Sequence, residues 1–88
     1  MEDPANGCLA QIEKIREGYS EGLYNRKKYS ITKQVFNQHR SFKVYAKELG
    51  GNDFISLNYY ITQQKEQLKP CEMSARKVIH FLNHVQFI

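Results

Sequence analysis

Residues 41–62 read SFKVYAKELGGNDFISLNYYIT, two alternating runs at 41–49 and 54–62 around Gly50-Gly51-Asn52-Asp53. Successive side chains on a strand point to opposite faces, so residues two apart share a face. One parity collects Phe42, Val44, Ala46, Ile55, Leu57, Tyr59 and Ile61, an apolar set suited to a core. The other collects Lys43, Tyr45, Lys47, Phe54, Ser56, Asn58, Tyr60 and Thr62. A four-residue turn joins antiparallel neighbours. The stretch therefore predicts a hairpin whose wet side carries lysines and aromatic rings together.

The same alternation extends upstream. In KYSITKQVF at 28–36, Tyr29, Ile31 and Val35 oppose Lys28, Ser30, Thr32, Gln34 and Phe36. Lys33 interrupts the apolar set and reads as a bulge or an edge position. NQHR at 37–40 makes the next turn, and residues 20–24 form a short strand turning at Asn25-Arg26-Lys27. Before them, Cys8, Leu9, Ile12 and Ile15 suit a short amphipathic helix over 8–17, capped by Asn6-Gly7 and stopped by Gly18. Downstream, QQKE at 63–66 turns into a strand stub at 67–69, and Pro70 ends the sheet. SARKVIHFLNHVQFI at 74–88 predicts a helix with Ser74 as N-cap. Its apolar stripe is Ala75, Val78, Ile79, Leu82 and Val85, widened by Phe81 and Ile88.

These elements predict one α+β domain over 8–88 behind a disordered lead at 1–7. Its architecture is an antiparallel β-meander of three to five strands, with a short N-terminal helix and a C-terminal helix packed on the sheet. The side of the sheet taken by the first helix stays open. A chain of 88 residues is one domain, and buries only about 60–65% of its unfolded surface. With 41% hydrophobic and 25% charged residues, the composition is that of a globular chain and not of a disordered one. No apolar run approaches the ~20 residues of a membrane span. MEDPANG at the start lacks a signal-peptide pattern, so the expectation is a cytoplasmic protein with no membrane partner. Cys8 and Cys71 then read as free thiols.

The net charge of +4 is unevenly spread. Arg26, Lys27, Lys28, Lys33, Arg40, Lys43 and Lys47 fall between Gly22 and Lys47 with no acidic residue among them. A one-sided basic region attracts polyanions. Rings on a sheet can stack on bases while lysines follow phosphates. The residues placed to do so are Lys28, Phe36, Lys43, Tyr45, Lys47 and Tyr60. Arg76 and Lys77 join them as cations in the first turn of the last helix, where an anion could sit. The leading expectation is a non-enzymatic module that binds single-stranded DNA or RNA. Three alternatives stand beside it. The face is a homodimer or protein contact, it lies under the N-terminal helix, or its rings only stabilise the sheet as cross-strand pairs.

Other chemistry finds little support. His80 and His84 lie four apart on the last helix, but HFLNH lacks the Glu of a zinc-protease motif and further ligands. They read as solvent-facing histidines, so no metal and no cofactor are expected. Cys71 precedes a helix, yet no base held by a third group is identifiable. The glycines of Gly50-Gly51 serve a hairpin, not a phosphate loop. No catalytic residue emerges.

The runs EGYSEGLYNRKKYSITKQVFN, SFKVYAKELGGNDFISLNYYIT and LKPCEMSARKVIHFL resemble a family of small, uncharacterised bacterial proteins over about residues 18–82. The most specific pieces are YAKELGGNDFISLNYY and LKPCEM. Members are sometimes labelled peptide methionine sulfoxide reductase. In this chain Cys8 follows Gly7 but precedes Leu9-Ala10, not the Phe-Trp of that reductase motif, and the resemblance implies no such activity. More distantly, the meander, Lys69-Pro70 and one closing helix are similar to the single-stranded-DNA-binding transcriptional coactivators. That likeness implies a curved antiparallel sheet, dimerised through its helix, with Lys43, Tyr45, Lys47 and Tyr60 as contacts. The element order is also similar to the double-stranded-RNA-binding fold, without its basic, glycine- and alanine-rich helix start.

Overall fold

A computed structural model describes residues 8–63 and 65–88. The elements in chain order are α1 (Cys8–Glu13), β1 (Gly18–Tyr24), β2 (Lys27–Phe36), β3 (Ser41–Glu48), β4 (Phe54–Ile61), β5 (Glu66–Pro70), α2 (Ala75–His84) and β6 (Gln86–Phe87). The strands form one antiparallel six-stranded sheet in the order β5-β4-β3-β2-β1-β6. The fold is α+β. The lead at 1–7 and its Asn6-Gly7 cap lie outside the described residues.

Each turn follows from its residues. Asn25 and Arg26 both take positive φ, 53° and 65°, the two-residue turn whose twist matches that of its strands. Asn37, Gln38 and His39 repeat the left-handed conformation, and the Arg40 amide closes the turn on the Phe36 carbonyl at 3.2 Å. Gly50, at φ 84°, supplies the left-handed residue between β3 and β4.

Both helices cover the same side of the sheet. Cys8, Ile12 and Ile15 from the α1 region and Val78, Phe81 and Leu82 from α2 share one cluster with Tyr29, Ile31, Phe42, Val44, Ala46, Ile55, Leu57 and Tyr59. Full burial of such side chains stabilises by about 1.5–3 kcal/mol each. Tyr24, Tyr29 and Phe81 meet edge to face with centroids 5.0–5.8 Å apart. A polar clasp borders them. Tyr29 donates to Asp53 Oδ2 at 2.7 Å and Lys77 Nζ to Oδ1 at 2.6 Å, joining β2, the β3–β4 turn and α2.

Several expectations change. The first helix ends at Glu13 rather than 17, because Ile15 must turn inward while the chain enters β1 at Gly18. β1 is correspondingly longer than the expected 20–24. Lys33 forms neither a bulge nor an edge. It stays in register opposite Val44 on the core side, 6% exposed. Its Nζ reaches the Ile12 carbonyl at 3.0 Å and lies 5.6 Å from the Phe42 ring centre. A lysine can hold a core position when its stem packs and its ammonium finds an acceptor.

The last helix does not run to Ile88. Ser74 caps it as expected, accepting from the Lys77 amide at 3.2 Å. Val85, however, is extended at φ −67° and ψ 138°. Gln86 and Phe87 then pair with Leu23 and Gly22, and the Ile88 amide donates to the Glu21 carbonyl at 3.1 Å. This adds a sixth strand to the expected three to five. Gly22 permits it, since a Cβ there would meet Gln86 O and Val85 Cγ2 at 3.0 Å.

Candidate nucleic-acid interface

With both helices on one side, the opposite face of β1–β5 has no helix over it among the described residues. Register places its side chains in rows. Gln67, Tyr60, Ser41 and Phe36 form the first, and Lys69, Asn58, Lys43 and Gln34 the second. Ser56, Tyr45, Thr32 and Tyr19 form the third; Phe54, Lys47, Ser30 and Glu21 form the fourth. Leu23 and Lys28 begin a fifth, beside the Leu49 amide. Strand neighbours lie about 4.8 Å apart, and rows about 6.6 Å.

Tyr45 stands at the centre, 43% exposed. Its ring stacks on Phe54 with centroids 6.2 Å apart and planes 29° from parallel. Ser56, beneath them, is 9% exposed. Thr32, Gln34, Lys43, Tyr45, Phe54, Ser56, Cys71 and Glu72 line a shallow groove of about 600 Å³. Cys71 is anchored at its border: its amide donates to the Ser56 carbonyl at 3.0 Å, and its sulfur accepts from Asn58 Nδ2 at 3.4 Å.

Six of the sequence-nominated residues share this face: Lys28, Phe36, Lys43, Tyr45, Lys47 and Tyr60. Phe36 is exposed and Tyr60 half-buried. Lys43 and Lys47 are exposed and make no ion pair among the described residues. Lys28 is engaged by Glu21 at 3.1 Å. Arg76 and Lys77 are not brought to the face, because α2 packs on the other side of the sheet and Lys77 is paired with Asp53.

The sequence reading missed Tyr19, Glu21, Leu23 and Lys69. Their parity depends on where β1 and β5 begin, which short, weakly alternating segments do not mark. Glu21 introduces a carboxylate that the alternation of β2–β4 lacks. Hydrogen bonding by Tyr19, then Lys28, holds its carboxyl below the usual carboxylate range, so it is ionised.

On the helical side, His80 and His84 are exposed and stacked with centroids 4.1 Å apart. His80 Nδ1 meets the Tyr24 hydroxyl, and His84 Nδ1 the His80 carbonyl at 2.8 Å. No group of three or more metal-ligating side chains exists among the described residues. None of their helices is long and apolar enough to cross a membrane. In comparisons with known proteins, the chain matches no family model, no curated protein and no solved structure.

Proposed function

We propose that this chain is a non-catalytic binding module whose open sheet face takes single-stranded nucleic acid. The observation that carries the reading is the stack of exposed Tyr45 on half-buried Phe54, with lysines at 43 and 47 on either side of Tyr45 along β3 that make no ion pair among the described residues. Every base offers a flat face to such a ring, and each base stacked contributes about 1–3 kcal/mol. The lysines, about 13 Å apart along the strand, suit successive contacts to a flexible phosphate chain.

Anisotropy of a labelled oligothymidylate tests it. Two or three phosphate contacts give a log–log salt slope of about −1.4 to −2.1 for a single strand. Lys43→Gln with Lys47→Gln should flatten the slope by about 1.4. Tyr45→Ala should weaken binding by about tenfold or more with the slope unchanged. Absence of binding by the unaltered protein at low salt refutes the reading.

One observation favours a second reading, a protein or homodimer contact through the same face. Leu23 and Leu49 are exposed on either side of Lys28, apolar groups that a polyanion does not require. Sedimentation decides: a dimer that dissociates on Leu23→Glu supports this reading, and a monomer at all concentrations removes the homodimer.

A further inference from the structure

We infer that the ligand lies lengthwise along β3, as an extended single strand confined between two acidic borders; this rests on the nucleic-acid reading above. The inference comes from the order of charges on the face. Along β3 the sequence Lys43, Tyr45, Lys47 alternates cation and ring. The direction continues past Lys43 to the Tyr60–Ser41–Phe36 row and ends at Lys47, because Lys28 beyond it is held by Glu21.

Across the strands the order is different. At the Lys47 row the path toward β1 meets Glu21 after Ser30, two strand spacings from β3, about 9.6 Å. On the opposite flank, Glu72 lines the groove beside Tyr45 and Phe54. A phosphate chain crossing the sheet at the central rings runs into one carboxylate or the other. A chain parallel to β3 from Ser41 to Lys47 stays two strand spacings from Glu21 and passes alongside Glu72, which follows Cys71 on the far side of β4. The borders disfavour a duplex for the same reason. Its second backbone lies about 6 Å or 12 Å away across a groove, a reach that carries it over a flank.

The length follows from the strand. Ser41 to Lys47 covers six residue-to-residue steps, about 20 Å, a footprint near the low end of the roughly 4–16 nucleotides that an OB-fold single-strand binder occupies.

Lys69 makes the direction testable, because it lies on the open face in the same row as Lys43 but at the lateral strand β5. Lys47→Glu and Lys69→Glu each reverse one exposed charge, and urea midpoints equal to the parent's certify that both fold. Lys47→Gln and Lys69→Gln serve as milder substitutes should either reversal unfold. A lengthwise strand predicts that Lys47→Glu weakens oligothymidylate binding by about tenfold or more and Lys69→Glu by less than about twofold. Equal losses, or a larger loss from Lys69→Glu, overturn the lengthwise path while the nucleic-acid reading stands. Duplex bound as tightly as single strand also overturns it. An unaltered protein that binds neither strand form overturns the reading itself.

Discussion

Replacing Lys33 tests how α1 is held to the sheet. Its side chain is buried, its Nζ donates to the Ile12 carbonyl at 3.0 Å, and Phe42 lies beneath it. Lys33→Ala removes three methylenes of packed stem at roughly 0.8 kcal/mol each. It also strips the Ile12 carbonyl of its donor, about 1 kcal/mol. Relief from keeping a charge out of water offsets part of this. The expected net loss is about 2–3 kcal/mol, or roughly 10–20 °C in Tm for a domain of this size. Lys33→Met keeps the stem and drops the charge, and should cost under about 1 kcal/mol.

The pH dependence separates the contributions. Burial lowers the Lys33 pKa, while Glu13 and Glu17 act in the other direction. A lowered lysine pKa means that the folded state disfavours the ammonium. The penalty is full below the folded value and fades as pH rises through it toward the unfolded value, about 10.4. The unaltered protein should therefore gain on Lys33→Met in the alkaline range just below that pH. Urea unfolding followed by circular dichroism, with equal m-values, reads both effects. If Lys33→Ala unfolds at the parent's midpoint, or if alanine and methionine cost the same, the account of this residue is wrong.

Two further outcomes follow from the packing. Hydrogen bonds from Lys77, then Tyr29, hold the Asp53 carboxyl below its usual range. Its contribution is present above the unfolded value of about 3.9 and is lost as pH falls through the folded one. Asp53→Asn should thus cost about 1 kcal/mol at neutral pH and flatten the acid limb of the stability profile; an unaltered acid limb contradicts this. Gly22→Val places carbon where Gln86 O and Val85 Cγ2 stand 3.0 Å from a Cβ, so it should expel β6 at a cost of about 1–3 kcal/mol. Hydrogen exchange reads this as lost protection at the Ile88 amide with β2–β4 protected as before, and retained protection at Ile88 counts against it.

What was legible in the sequence tracks where the physics is local. The alternation of β2, β3 and β4 has one buried and one wet face, so register was set by pattern alone. Gly50 and Asn25 announced their turns through backbone conformations those residues tolerate. Ser74 announced the helix start. Lys33 failed because its place depends on a carbonyl from α1, twenty-one positions away. The stretch Val85–Ile88 failed because its apolar residues continue a helical stripe, and only Gly22 across the sheet decides otherwise. At the interface, Lys43, Tyr45 and Lys47 were readable from parity. Glu21 was not, because the bounds of β1 are set by its partner β2. Lys77 reads in the sequence as a cation open to an anion, and its partner Asp53 lies twenty-four positions away, beyond the reach of local pattern.

The pairing of Leu23 with Gln86 also shapes how the molecule comes together and apart. Four of the five strand contacts join neighbours in the chain, but this one links residues 63 positions apart. Closing so long a loop costs roughly 2–3 kcal/mol more entropy than closing a four-residue turn, whereas hairpins form in about 1–10 μs. The meander can therefore assemble before the tail docks. Contacts absent from the transition state govern escape from the native basin and leave its formation rate alone. The tail acts as a latch on the lifetime of the folded molecule.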